Sequence, residues 1–387
     1  MGHNGSRVYI CHTFYHVYVT CLKELRIRRQ SGQSSQGGTT GTATLILSRM
    51  SNDFGTLAQR AEACGLFQAV YPFDEHHFST FPELAPLKRD TGGFLGNLIN
   101  RIRFTRAYGR LQAPYLPVDL AAYDEVYVFC DSDPVGYYLQ YRRIPYHAVE
   151  DGLDCIKYYD TARYDNRGHF RLKALFARWG LIFMQNGWGR YCIDMEVNDI
   201  AALPCPEDRN ATVPGRKPCF VEAPREALVA ELTAADRALL LQLFVENIDE
   251  LNRQLAEGAG RPRVLILTEP LCDLETRKRL FGDLIRTYGS IDGQEAVVML
   301  KQHPRDLLDY EQVFPGLVVL SGRFPMEMLN FVENLTFDRV ISVFTVVDSL
   351  HFVREKIFLG DDFMDQYEAP ERHRFNEEVE EIKENGT

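Results

Sequence analysis

Short apolar runs alternate along this chain with longer stretches whose apolar residues recur at helical spacing. In the first half the runs are Val8–Cys11, Thr44–Leu47, Ala69–Tyr71, Glu125–Cys130 and Tyr146–Val149. They are too short for helices and rich in β-branched and aromatic residues, which predicts strands. Between them His16–Ile27, Leu57–Cys64, Phe94–Tyr108 and Val135–Arg142 carry the helical period. A strand followed by a helix, repeated, predicts βαβ units on a parallel sheet.

The pattern then breaks and restarts. Residues 30–42 are Gln, Ser, Gly and Thr and read as a flexible loop. Residues 203–218 hold four prolines and read as a connection. A long helical region covers 225–256, with a break near Thr233. From Arg263 the runs Val264–Leu267, Ala296–Leu300, Val318–Leu320, Val340–Ser342 and Lys356–Leu359 predict a second α/β unit. Its helices fall at Leu274–Thr287, Pro325–Val332 and Val346–Val353. The expected organisation is an N-terminal α/β domain at 1–222, a helical connection at 223–260, a C-terminal α/β domain at 261–370, and an acidic helix or tail at 371–387.

Length agrees, since 387 residues exceed one ordinary core. A net charge of −11 argues against general nucleic-acid binding. Nine cysteines, scattered and without a CxxC pair, point to a reducing compartment and no zinc cluster. No signal-peptide pattern or membrane-length apolar run opens the chain, so a cytoplasmic location is expected.

Two motifs follow strand-like runs, Val-Glu-Asp-Gly at 149–152 and Lys-Gln-His-Pro at 301–304. Each puts ionisable groups at the carboxyl end of a strand, where open α/β sheets bind ligands. Glu150 and Asp151 could supply a general base, although Asp-Gly is also an ordinary turn. Pro304 biases His303 to extended backbone, aiming an imidazole out of the strand end. A packed or capping histidine fits the same two residues. Thr345 is expected at a helix N-terminus, where amides favour phosphate or where threonine simply caps. Glu327, after Pro325, could accept ribose hydroxyls or only offset a helix dipole. Neither GxGxxG nor GxxxxGK[ST] occurs, which counts against a dinucleotide dehydrogenase or a P-loop NTPase. Asp131-Ser132-Asp133 is the one DxD pattern considered for metal. It reads as a strand-end turn, so no metal site and no cofactor are expected.

In order, Tyr9–His16, Glu150-Asp151-Gly152, Leu265–Leu271, Lys301–Asp306, Pro325–Glu327 and Ser342–Leu350 resemble bacterial sialyltransferases of glycosyltransferase family 52. The resemblance implies a GT-B architecture, two Rossmann-like domains with parallel sheets facing a central cleft. It implies metal-independent inverting transfer of sialic acid, or a related nonulosonic acid, from a CMP-sugar to a glycan or glycolipid. Asp151 would be the base, assisted by Glu150, and His303 would meet the donor phosphate. Thr268, Glu269, Lys301, Pro304, Glu327, Ser342, Thr345 and Ser349 would line the nucleotide-sugar site. Thr13, His16 and Gly152 would lie at the acceptor. The alternatives are a GT-B transferase using a UDP-sugar or polyol-phosphate donor, and a non-catalytic carbohydrate-binding protein.

One surface feature stands apart. Residues 88–110 carry Lys88, Arg89, Arg101, Arg103, Arg106 and Arg110 against a single acid, Asp90, with apolar residues interleaved. Arg171–Phe183 would extend it. This reads either as a solvated basic helix or as contact with anionic lipid at the inner face of a membrane.

Overall fold

A computed structural model describes residues 5–31, 42–50, 52–132, 134–151, 169–203, 217–258 and 260–373. The chain divides into two compact units, Met1–Leu232 and Thr233–Thr387.

In the first unit, β1 (Arg7–Cys11), β2 (Ala43–Ser48), β3 (Phe67–Phe73), β4 (Glu125–Phe129), β5 (Tyr146–Val149), β6 (Cys192–Val197) and β7 (Phe220–Glu222) form one sheet. Its order is β3-β2-β1-β4-β5-β6-β7, with every pairing parallel. The strand order reverses between β1 and β4, which makes their carboxyl ends the natural ligand-binding edge. β1 and β2 are buried at every position because parallel sheets are covered on both faces. That is why they read as unbroken apolar runs. β6, Cys-Ile-Asp-Met-Glu-Val, alternates buried and more exposed positions near the sheet edge and escapes such a reading.

Five helices of this unit matter here: α1 (Phe14–Gln30), α2 (Leu57–Ala63), α3 (Phe94–Gln112), α4 (Pro134–Arg142) and α5 (Phe170–Arg178). α3 and α4 touch almost backbone to backbone. A Cβ on Gly109 would lie 2.3 Å from the Tyr137 carbonyl oxygen, so only glycine permits this approach.

The second unit has the sheet order β10-β9-β8-β11-β12, again all parallel. The strands are β8 (Arg263–Leu267), β9 (Val297–Lys301), β10 (Val318–Leu320), β11 (Phe337–Ser342) and β12 (Val353–Phe358). Its core is built from Val264, Ile266, Leu280, Phe281, Leu300 and Ile341.

The stretch 223–260 is three helices rather than one broken helix, Arg225–Ala230, Ala234–Phe244 and Ile248–Ala256. The unit boundary falls after the first of them. Thr233 and Asp236 form a reciprocal capping box. Asn247 accepts the Glu250 amide and starts the third helix.

Two expectations fail. No helix covers 346–353; the chain after Ser342 is irregular until β12. The run Val343, Thr345, Val346 and Val347 is β-branched and disfavours helix, and its first amides are engaged elsewhere. Pro325 precedes a short 3-10 helix, Met326–Phe331, instead of an α-helix. The acidic stretch beyond 373, most of the 30–42 loop and most of the 203–218 connection lie outside the described residues.

Candidate functional site

The carboxyl edge of the first sheet gathers side chains from five strand ends. Thr13 caps α1, its hydroxyl accepting the His16 amide at 3.2 Å. This fixes His16 in the first helical turn, wholly buried and stacked on Phe129 at 4.4 Å. The His12 amide donates to His16 Nδ1 at 3.0 Å. With Nδ1 an acceptor, the proton of the neutral ring is assigned to Nε2. That N–H donates to Asp151 Oδ1. Burial pulls the His16 pKa down against the attraction of Asp151, in keeping with a neutral ring.

Asp151 follows β5 and is about one-third exposed, at 31%. Its second oxygen accepts from the Cys130 thiol at 3.0 Å. Burial pushes the Asp151 pKa up, but His16 and the two hydrogen bonds outweigh it and hold the carboxyl below its ordinary range. The result is an oriented carboxylate, ionised at neutral pH and still open on one side.

Glu150 points elsewhere, as alternation along an extended strand requires. It is buried, and its Oε2 accepts the Asn198 amide at 2.7 Å. Burial raises its pKa, with the Asn198 hydrogen bond and Arg225 opposing. The expected catalytic pair is therefore one available carboxylate and one engaged with backbone. The expected acceptor contacts of Thr13 and His16 are also internal, a cap and a buried support for Asp151. Gly152 lies outside the described residues.

Behind Asp151 is a support that motif reading missed. Glu75, after β3, accepts from His12 Nε2 at 2.8 Å, Ser48 Oγ at 2.7 Å and the Val135 amide at 2.7 Å. Asn52 donates to the His12 carbonyl at 2.8 Å. His12, Ser48, Glu75 and Cys130 each lie at, or within two residues of, a strand's carboxyl end. Scanning every such position for polar residues would have found them.

His12, His16 and Cys130 also bring potential metal-ligand atoms within 4.8 Å of one another. His12 Nε2 is paired with Glu75, and His16 Nε2 and the Cys130 thiol with Asp151. Asp131 is 2% exposed and accepts the Asn186 amide at 2.6 Å, the Gly187 amide at 3.2 Å and the Tyr146 hydroxyl at 3.1 Å. It is an internal clamp, and Asp133 lies outside the described residues.

In the second unit the same edge carries Thr268, Glu269, Lys301 and His303. Thr268 is buried, and its hydroxyl accepts the His303 amide at 3.0 Å. His303 Nδ1 accepts the Arg305 amide at 3.1 Å, which again assigns the ring proton to Nε2. Burial, helped by Arg305 and Lys301, lowers the His303 pKa to about 4, so the ring is neutral at pH 7. The following loop is anchored by Asp306, which takes Arg277 at 2.6 Å and the Tyr310 hydroxyl at 2.6 Å. Gly322 lets the β10 end approach, since a Cβ there would meet the Gln302 carbonyl oxygen at 2.9 Å. Pro304 is exposed.

Lys301 is buried with Nζ 4.2 Å from the Phe324 ring centroid and 3.2 Å from the Gln302 carbonyl oxygen. Burial lowers its pKa to about 7, with Glu327 pulling the other way. Glu327 is half-buried in the 3-10 helix, and burial raises its pKa against the attraction of Lys301.

The turn expected to hold phosphate is filled from inside. Glu269 Oε1 accepts the amides of Val343, Phe344 and Thr345 at 3.1, 3.1 and 3.0 Å. Thr345 therefore sits in a loop whose amides face a buried carboxylate, not at a helix terminus. Ser342 is fully buried and its hydroxyl has no hydrogen-bond partner among the described residues. The Ser349 carbonyl accepts from Asn330 at 2.8 Å.

Residues 120–358 match the family model of glycosyltransferase family 52. An uncharacterized protein of Haemophilus influenzae is 30% identical over 120 residues, 30% of this chain, and the chain spans 36% of that curated relative's length. Among solved structures, the 2,6-sialyltransferase of a Vibrionaceae Photobacterium species, in complex with CMP and lactose, matches with a TM-score of 0.55 at 10% identity. That match covers 91% of this chain and 71% of the other. The α/β-galactoside α-2,3-sialyltransferase of Photobacterium phosphoreum matches with a TM-score of 0.50 at 11% identity, covering 91% of this chain and 89% of the other. At such identity the likeness is one of fold, the GT-B pairing of two Rossmann-like units. The family match takes in every strand from β4 to β12 and both motifs, and on it the chain belongs to glycosyltransferase family 52.

Proposed function

We propose that this protein transfers a sialic acid, or a related nonulosonic acid, from its CMP-activated form to a hydroxyl of a glycan or glycolipid, with inversion and without a metal. The observation that supports it most is the state of Asp151. A strand-end carboxylate is ionised, open on one side, and held by a histidine whose tautomer the backbone dictates. That is the equipment of a general base acting on a hydroxyl.

In this reading the acceptor oxygen attacks the anomeric carbon while its proton passes to Asp151. The bond from that carbon to the phosphate oxygen breaks, and CMP leaves with the electron pair. His303 Nε2–H donates to the phosphate as negative charge builds there. A neutral imidazole suits this task because its hydrogen bond strengthens with that charge. His16 serves as a positioning residue, since Nδ1 is already occupied by the His12 amide.

The test pairs a binding and a turnover measurement. CMP should raise the melting temperature and UDP should not, because ligand binding to the native state shifts unfolding by mass action. Asp151→Asn should keep the CMP shift and lose transfer. Protection by UDP alone would move the assignment to a UDP-sugar transferase. Protection by neither nucleotide, with no donor turnover, would leave a non-catalytic carbohydrate-binding protein.

A further inference from the structure

His303 is fixed on both sides. The Thr268 amide donates to the Lys301 carbonyl at 3.0 Å, which extends the β8–β9 ladder by one step. Where β8 ends, the Thr268 hydroxyl takes over and accepts the His303 amide at 3.0 Å. Further along, the Asp306 amide donates to the His303 carbonyl at 3.0 Å. That bond closes a four-residue turn over 303–306, with Pro304 at its second position, where a preset φ favours turning. The Arg305 amide, inside the turn, meets His303 Nδ1 at 3.1 Å. The turn therefore sets the imidazole as well as the backbone.

A buried ion pair holds the turn from within. Asp306 Oδ1 lies 2.6 Å from Arg277 Nη1, and the two side chains are 0% and 7% exposed. Arg277 stands in the helix Leu274–Tyr288 and gives its other donors to the carbonyls of Leu271 at 2.6 Å and Cys272 at 2.9 Å. One guanidinium thus ties the segment after β8 to the turn after β9. The second oxygen of Asp306 accepts the Tyr310 hydroxyl at 2.6 Å.

The Tyr310 ring is itself locked, packed edge-on against Phe281 with centroids 5.4 Å apart. Burial and Asp306 push the phenol pKa up, so Tyr310 keeps the proton it donates. The Thr268 hydroxyl is a neighbour of the same phenol and pulls that pKa down, as a hydrogen-bond donor does. A threonine that donates to Tyr310 keeps its lone pairs for the His303 amide. The direction of the whole chain is set by one carboxylate.

We propose that Thr268, Arg277, Asp306 and Tyr310 are positioning residues that aim His303 Nε2–H at the leaving phosphate, given the reading of His303 as its donor. All four are at most 6% exposed, so their influence on a substrate passes through the histidine. Thr268, expected from the sequence to line the nucleotide-sugar site, works one layer beneath it. The histidine is neutral at pH 7, so what the protein adds to it is placement. A donor to charge that builds only in the transition state is effective when it is already in place. A shift of about 1 Å can cost about 10² in rate.

Tyr310→Phe and Thr268→Val each remove one hydroxyl and keep the packing. Each should lower kcat by about 10- to 100-fold. The KM for donor should change little, and CMP should still raise the melting temperature. Thr268→Ser should restore most of what Thr268→Val loses. A double-mutant cycle separates aiming from mere support. Combined with His303→Ala, neither substitution should lower kcat further, because residues that act through one group are not additive. Nitrogen NMR supplies a readout without turnover. The wild-type ring, assigned by its absence in His303→Ala, should be one neutral tautomer protonated at Nε2, and both hydroxyl variants should show a mixture.

Losses that multiply with that of His303→Ala would overturn the proposal and make these groups structural supports. Unchanged kcat and an unchanged tautomer in folded Tyr310→Phe would overturn it as well. If Thr268→Val does not fold, Tyr310→Phe decides, since its ring still packs on Phe281. If wild type transfers nothing from a CMP-sugar, the functional reading fails, and the ring spectra still decide whether these residues set the imidazole.

Discussion

The backbone amide of Phe344 lies 3.1 Å from both carboxylate oxygens of Glu269. The amides of Val343 and Thr345 converge on the same group, so one side chain serves three consecutive donors. Such a run of amides is an anion nest. Here it holds the internal carboxylate of Glu269, so the loop is already satisfied.

Glu269→Ala should therefore destabilise the second unit by about 1–3 kcal/mol, the cost of leaving buried donors unpaired. Denaturant midpoints measure this. The emptied nest should then take an external anion, so inorganic phosphate should raise the melting temperature of the variant more than that of wild type. An equal response in both would mean that the amides turn away once Glu269 is gone.

Asp151 and Glu150 make a matched pair of tests. Asp151→Asn should lower kcat by about 10²–10⁴, the usual range for removing a general base. Glu150→Gln should act on stability first, because Glu150 is buried and engaged with the Asn198 amide. If Glu150→Gln abolishes transfer in a fully folded protein while Asp151→Asn turns over normally, the roles are exchanged.

His303→Ala should fold and lose about 10²–10³ in kcat, typical of one lost donor to a developing anion. With its pKa lowered to about 4, the ring binds no proton in the native state near pH 5, whereas the unfolded chain does. Wild-type stability should therefore fall as pH drops from about 6.5 toward 4, and the alanine variant should lack that component. Parallel stability curves for the two proteins would contradict the buried, neutral ring.

Lys301 gives a second window, on the alkaline side and of the same sign. Its native pKa of about 7 lies far below the ordinary lysine value, so between about pH 7 and 10 the unfolded chain binds the extra proton. Stability should rise with pH across that range. Lys301→Met should be more stable than wild type below pH 7, with the advantage fading toward pH 10. If Lys301 attracts the donor phosphate, CMP binding near pH 8 should take up a proton. Calorimetry in two buffers of different ionisation enthalpy reads this, and the uptake should vanish in Lys301→Met.

Much of the fold was legible because both sheets are parallel and covered on both faces. Val8–Cys11, Tyr146–Val149 and Val318–Leu320 announce themselves as apolar runs for that reason. β6 and β7 were not legible, one alternating and one only three residues long. The opposed directions of Glu150 and Asp151 followed from strand geometry alone. The environment of Asp151 did not, since His16, Cys130 and Glu75 are brought to one edge by strand order. The helix expected after Thr345 failed because a carboxylate from position 269 takes its amides, a contact no local window contains.

The pairing of β1 with β4, Arg7 against Glu125, also has a meaning in time. Among the described strands β1 comes first in the chain yet lies inside its sheet, and one neighbour follows much later. Non-local parallel pairing of this kind slows folding, because loop closure precedes its reward. Early on, β1 can be steadied only by nearby chain, and Arg7 bound to Glu24 of α1 at 2.7 Å is such a local tie. The carboxylate at 151 acquires its histidine and thiol partners only once that late strand is seated. A nascent chain stalled short of β4 would thus carry an unfinished sheet with an apolar edge, and would be a substrate for chaperones before it could be an enzyme.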